Sequence, residues 1–279
     1  MHTQNDFIVV AYPEIESKYG ILMQDYTGNI YFQNIPTAEE VYEDPYLNTF
    51  AVYNGNTRLK DLDLSVIGPG LSQPQNRAVL VIGDLEVEET IHMHGTDVGY
   101  PMYLYVTGNV RAKNIVISGL ADVIIRGNTT LTESLFALDL SNGQLSFYGD
   151  FSAKYVYLEK FPLHIAGKAD IPHLYYYDTA DNGDDAATLA ELDIDLAHTV
   201  DVHPVRCGES GIAYFEEMGQ LNTGEIDMDD LDKTEQKKLE QKFLQHRIFV
   251  AAIYKREDSY DVNIHQVYKE IIKGNPVFL

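Results

Sequence analysis

From Ala78 to Tyr177, apolar and polar positions alternate in short runs, and each run breaks at a glycine followed by a small polar or charged residue before alternation resumes. Five segments share this form: VLVIGDLEVE, LYVTGNVRAK, VIIRGNTTLT, LSFYGDFSAK and LHIAGKADIP. Their glycines, Gly83, Gly108, Gly127, Gly149 and Gly167, stand 25, 19, 22 and 18 residues apart and precede Asp84, Asn109, Asn128, Asp150 and Lys168. Alternation of period two places Val79 and Val81 on one face of a strand, and Leu85 and Val87 on one face of the next. One unit cannot bury its apolar face alone. Stacking equivalent units at about 4.8 Å lets each strand pair with its counterparts and turns the inward side chains into ladders. The pattern predicts one coil of a right-handed parallel β-helix per repeat, bent at each Gly-Asp or Gly-Asn, where positive φ or a sharp turn is easiest. The same dipeptides suit the hairpins of an antiparallel sandwich. In a sandwich, however, turn signals return roughly every 8 to 12 residues, whereas here the same flank returns at about twice that spacing.

The flanks extend the picture. FAVYNGNTRLKDLDLS, with Gly55 and Asn56, reads as a degenerate first coil, giving about six coils over residues 50–177. The predicted inward ladder comprises Val79, Val81, Leu104, Val106, Val123, Ile125, Leu145, Phe147, Leu163 and Ile165. Residues 1–49 predict a small α+β cap. In it FIVVAY, YGILMQD and NIYFQNI are strands, the last two joined by a Thr27-Gly28 turn, and TAEEVY is a short helix opened by Thr37. Such a cap covers a coil whose edge would otherwise expose backbone groups. SVIGPGLSQPQN predicts a projecting loop. Residues 178–232 form an acidic connection in which DTADNGDDAATLAE reads as a loop and short helix. AELDIDL and TVDVHPV read as strands, and IAYFEEM as a strand or helical turn. Residues 233–279 predict a helical cap at the far end. There Asp232 and Glu235 have capping-box spacing, and Leu239, Phe243 and Leu244 share a face. A second helix from about Asn263 to Lys273 sets Val267 and Ile271 on one side and ends at Gly274.

Charge narrows the function classes. The chain of 279 residues carries a formal net charge of −23, which argues against free nucleic acid as a ligand, because binding it requires cations that displace counterions. From Asp178 to Asp232 there are 16 acidic residues against Arg206 alone, whereas Lys233 to Arg256 holds seven Lys or Arg and two Glu. An acidic surface of this kind suits a basic partner. No apolar run reaches membrane-spanning length, and MHTQNDFIVV lacks the basic and apolar parts of a secretory signal. Cys207 is the sole cysteine, so no intramolecular disulfide forms. These features point to the cytoplasm.

Candidate chemistry is sparse. His92 and His94 share a strand face with Asp97 near, as at the start of a zinc or nickel site, but no second Cys or His cluster completes it, and exposed strand histidines are the simpler reading. The acidic runs Asp181 to Asp185 and Asp227 to Asp232 lack the alternation, central Gly and closing Glu of a calcium loop. Cys207 in VRCGES follows His198 and His203, without spacing that makes a nucleophile pair. Gly127-Asn128-Thr129-Thr130 lacks the end of a phosphate loop, and no Gly-x-Ser-x-Gly elbow occurs. Outward Glu86, Glu88, Arg111, Lys113 and Lys154 are mixed in sign and read as solvated surface. The expectation is a non-enzymatic protein without metal or cofactor. Tyrosine is the exception to this poverty. There are 20 Tyr and no Trp, clustered at Tyr100, Tyr103 and Tyr105, at Tyr155 and Tyr157, and at Tyr175, Tyr176 and Tyr177. Alternation turns some of them outward, where Tyr favours interfaces. The expected partner-binding set is therefore Asp181, Asp184, Asp185, Glu191, Asp193, Asp195, Glu216 and Glu217 with Tyr175, Tyr176 and Tyr177.

The repeated apolar-x-apolar-x-Gly-Asp/Asn core from Phe50 to Tyr177, with the closing KEIIKGNPVFL, resembles bacterial polymer-forming, bactofilin-like proteins. That resemblance implies a right-handed parallel β-helix without a cofactor and, as one function, a cytoskeletal scaffold. The structured caps expected at both ends depart from that pattern and argue against filaments. In general design a capped acidic solenoid resembles the immunity proteins encoded beside polymorphic toxins, which implies binding and occlusion of a basic toxin domain by a monomer or small closed oligomer. A carbohydrate-active enzyme on the outer coils ranks third.

Overall fold

Each repeat folds into short strands laid end to end, and the repeats stack in parallel. The computed structural model describes residues 6–21, 49–64, 78–94, 102–119, 121–138, 144–159, 163–178, 201–206, 232, 234 and 263–279. After an opening strand β1 (Ile8–Ala11) and helix α1 (Tyr12–Tyr19), the first coil holds β2 (Thr49–Asn54), β3 (Thr57–Leu59) and β4 (Leu62–Asp63). The second coil holds β5 (Ala78–Ile82), β6 (Leu85–Val87) and β7 (Thr90–His94). The third and fourth each merge two sides into one long strand, with β8 (Met102–Val106) and β9 (Val110–Ser118), then β10 (Ala121–Ile125) and β11 (Thr129–Leu138). The fifth holds β12 (Gln144–Phe147), β13 (Phe151–Ser152) and β14 (Tyr155–Glu159), and the last holds β15 (Leu163–Ile165), β16 (Ala169–Asp170) and β17 (His173–Asp178).

One sheet runs β1-β2-β5-β8-β10-β12-β15, parallel throughout except for β1. A second sheet carries the remaining strands of every coil. Consecutive repeats pair in parallel, which the hairpins of a sandwich do not give. The fold is a parallel β-solenoid of about four full turns. That is slightly fewer than the six coils expected: the first coil beyond β2 has strands of only three and two residues, and the last has β15 and β16 of three and two residues before β17.

Register turns the sequence alternation into stacked rows. Ala51, Val79, Leu104, Val123, Leu145 and Leu163 lie one above another, as do Tyr53, Val81, Val106, Ile125, Phe147 and Ile165. Every expected inward residue is buried. On the second side Thr57, Leu85, Val110, Thr129, Phe151 and Ala169 form a matching row, and on the third Leu62, Ile91, Ile115, Leu135 and Val156 form another. A polar row stands among them. Asn114 donates from Nδ2 to Thr90 Oγ1 at 3.5 Å and accepts at Oδ1 from Ser134 Oγ at 2.8 Å, so these three buried side chains partner one another from coil to coil.

The Gly-Asx corner works across coils. Each Asx carbonyl or carboxylate oxygen accepts the backbone N–H of the equivalent residue one coil on: Asn56 from Asp84 at 3.0 Å, Asp84 from Asn109 at 2.7 Å, and Asn109 from Asn128 at 2.9 Å. Asn128 then takes the Asp150 N–H and Asp150 the Lys168 N–H, both at 2.9 Å. The chain of bonds ends at Lys168, whose side chain has no acceptor. The glycines pack beneath the same corner. A Cβ on Gly127 would lie 2.5 Å from the Gly108 carbonyl oxygen, and one on Gly149 or Gly167 would meet the preceding glycine's backbone as closely. Of the five corner glycines, all at bends as expected, only Gly83, at φ 131°, takes the left-handed region; at the other four close approach of stacked backbones, rather than φ, excludes a side chain.

The segment before the coils differs from expectation in placement. FIVVAY forms the expected strand, and β1 lies antiparallel on β2. The next turn of chain is helical, so Tyr19 belongs to α1 rather than to a strand. Val10, Ile15 and Ile21 pack on Phe50, Val52, Leu80, Tyr103, Tyr105 and Ile124, the outward side chains of the first sheet. The segment thus covers a flank of the solenoid as well as its end. The strand expected at NIYFQNI, the TAEEVY helix, the SVIGPGLSQPQN loop, the AELDIDL strand and the IAYFEEM element lie outside the described residues.

The chain divides into two compact units, residues 1–176 with 188–203 and residues 177–187 with 204–279. Strand β18 (Asp201–Arg206) answers to TVDVHPV. In the second unit Asp232 Oδ1 accepts the Thr234 N–H at 2.7 Å, one residue short of the expected capping-box bond. Helix α2 (Ile264–Ile272) is capped by Asn263, whose side chain accepts from Gln266 N, buries Val267 and Ile271 as expected, and ends at Gly274 with φ 74°. No helix among the described residues is long and apolar enough to cross a membrane.

Candidate protein-binding face

Two flanks of the coils are closed. On the first sheet the outward row, as far as Ile124, is buried in one cluster with Val10, Ile15 and Ile21. On the third side the outward residues His92, Val116, Phe136 and Tyr157 are buried, and the Phe136 and Tyr157 rings stack at 5.1 Å. His92 is therefore not the exposed strand histidine expected; its Nδ1 lies 3.4 Å from Asp63 Oδ1. The His94 side chain and Asp97 lie outside the described residues. Among the described residues no three His, Cys, Asp or Glu side chains gather as a metal set.

The open flank is the second side. Arg58, Glu86, Arg111, Thr130, Ser152 and Asp170 stand in register along it. Arg58 pairs with Glu88 at 3.1 Å and Glu86 at 3.6 Å, Lys113 with Glu89 at 3.3 Å, and Lys154 with Glu133 at 3.8 Å. Exposed pairs of this kind contribute about 0 to 1 kcal/mol each. The flank is the mixed, solvated surface that its sequence predicts.

A more specific feature sits beside the corner of the lower coils. The residue before each corner glycine forms its own column, in which Thr107, Arg126, Tyr148 and Ala166 follow one another. Arg126 lies with its guanidinium 4.2 Å from the Tyr148 ring centroid and donates from Nε to the Tyr105 hydroxyl at 2.9 Å. His164 meets the Tyr148 ring edge-on at 5.7 Å. Tyr148 remains 41% exposed. Its ring is thus held by two partners while part of its surface faces water. A second aromatic column runs below, where Lys154 lies over Tyr155 at 5.0 Å and Tyr155 stacks on His173 at 5.2 Å.

Several of the clustered tyrosines, Tyr175 of the expected binding set among them, are covered. Tyr103, Tyr105, Tyr157 and Tyr175 are buried, because the outward faces on which alternation places them are covered rather than wet. Tyr175 packs parallel to His173 at 6.5 Å. Tyr176 and Tyr177 continue β17. Asp181, Asp184, Asp185, Glu191, Asp193, Asp195, Glu216 and Glu217 lie outside the described residues, as do His198 and Cys207, while His203 lies on β18. Arg126, Tyr148 and His164 are not singled out by alternation or charge. Aligning the five repeats on their glycines sets Arg126 directly above Tyr148, and that is the signal the sequence holds.

One tyrosine in the core illustrates the local electrostatics. Burial, with the Asp6 carboxylate adding to it, pushes the Tyr53 hydroxyl pKa well above its ordinary value, so it stays neutral.

No protein-family model, curated protein or solved structure matches the chain.

Proposed function

We propose that this chain is a non-enzymatic binding protein whose rigid solenoid presents Tyr148, clamped by Arg126 and His164, to a basic protein partner, in the manner of an immunity protein that occludes a toxin domain. The observation that carries the reading is the half-exposed Tyr148 ring fixed by two partners. An aromatic held in place before binding loses little conformational freedom on contact, and Tyr and Arg are the residues that most often dominate interface energy. The net charge of −23 supports a cationic partner, since a surplus of one sign steers encounter. A cytoplasmic setting accords with the single cysteine.

Tyr148→Ala should weaken binding of a cognate partner by about tenfold or more with the melting temperature preserved. The partner to test is the product of the neighbouring reading frame, co-expressed with this chain. Unchanged affinity in that variant would remove Tyr148 from the interface. Neutralising Asp184, Asp185, Asp193 and Asp195 together should slow association and flatten its salt dependence, and an unchanged rate would place the steering charge elsewhere.

A further inference from the structure

We propose that β1 is a docking edge for a second copy of this chain, with β1 of each copy pairing antiparallel about a two-fold axis to make a closed dimer. Strand β1 ends the first sheet. Its residues Ile8 and Val9 are 48% and 49% exposed. They are adjacent in a strand, so they point to opposite faces of the sheet. An element packed on either face would cover one of them and leave the other wet. A strand added along the edge covers both.

The composition of the edge selects the occupant. Ile8–Ala11 reads IVVA, with none of the charged or proline residues that normally guard an exposed edge. A strand from a basic protein would set its charges against an uncharged edge. A copy of the same strand meets it with apolar residues on both faces, and antiparallel pairing of identical strands is self-complementary.

Register makes the junction continuous. Val9 stands over the inward row of Ala51, Val79 and Leu104, and Ile8 over the outward row of Val52, Leu80 and Tyr105. A two-fold pair of β1 strands joins both rows of one copy to those of the other. Because the contact uses the same patch on each partner it closes at two and does not propagate. Pairing through β1 goes beyond the binding of a basic partner at Tyr148 and does not depend on it.

Sedimentation velocity on the full chain, from micromolar to near-millimolar concentration, is the test. The mass should rise from 31.5 kDa to about twice that and stop, and Ile8→Lys and Val9→Lys should each move dimerisation to at least about tenfold higher concentration. Amide exchange on the unsubstituted chain supplies a readout free of folding defects, because protection across Ile8–Ala11 should increase with concentration. A chain that stays monomeric, growth past the dimer, a dimer unaffected by both substitutions, or protection independent of concentration would each overturn the proposal. A foreign strand as the occupant, which would equally overturn it, would appear as a monomer that gains protection at Ile8–Ala11 only with a partner present.

Discussion

Gly127 and Gly274 occupy opposite regimes of glycine chemistry, and their substitution separates them. At Gly127 a methyl group meets backbone atoms of Gly108 at 2.5 Å and 2.6 Å, which cannot move without unstacking two coils. Gly127→Ala should cost about 3 kcal/mol or more in a urea melt. At Gly274 nothing lies within 4 Å and only the φ of 74° opposes a side chain, so Gly274→Ala should cost about 1 kcal/mol. Equal costs would contradict the stacking account. The Asx residues are tested alongside: Asn109→Ala removes the acceptor for Asn128 N–H and the donor to Asp84 Oδ1, and should cost about 1 to 2 kcal/mol. At this scale the sequence showed which residues form the corner. It did not show why, because the clash and the hydrogen bond both lie between residues 19 positions apart, and a local reading of Gly-Asn finds only turn chemistry.

Among the elements, helix α2 carries a pH dependence. The Asn275 amide first, and Lys273 next, hold the Glu270 carboxyl below the usual carboxylate range; its oxygens also accept from Gln266 Nε2 at 2.8 Å and from Lys273 Nζ at 2.9 Å. A folded pKa below the unfolded one contributes stability that is present above the ordinary carboxylate pKa and is lost as pH falls through the lowered value. Amide protection of Ile264–Ile272 should decline on acidification through that window, and Glu270→Gln should blunt the decline. A profile identical in the two proteins would assign the acid sensitivity to other groups. Helix α2 was legible because its cap, apolar face and terminal glycine are all local signals. Helix α1 was not, since Tyr12–Tyr19 reads YPEIESKY, where only Tyr12, Ile15 and Tyr19 keep the helical spacing, too short a stripe to stand out beside the preceding strand signal, and its anchor Ile15 is buried in a cluster formed by distant coils. The same distance effect misdirected the tyrosines. Alternation correctly put Tyr103 and Tyr105 on the outward face, and tertiary cover then made that face a second core.

For the whole molecule, stacking makes the centre the most sensitive place. Ile125 is fully buried between Val106 and Phe147, so Ile125→Asp strands a charge with coils on both sides and should leave the chain unfolded by circular dichroism. A folded Ile125→Asp protein would contradict the observed register. On the mixed-sign flank Arg58, Lys113 and Lys154 pair with glutamates, whereas Tyr148 is an exposed aromatic fixed by two neighbours. Tyr148 is the proposed contact for a basic protein partner. Titration calorimetry of the neighbouring reading frame's product into the wild-type chain and into Tyr148→Ala tests it most directly. Saturable binding to the wild type and at least about tenfold weaker binding to the variant at unchanged melting temperature are expected; equal affinity for the two, or no binding to either, would rule out binding through Tyr148.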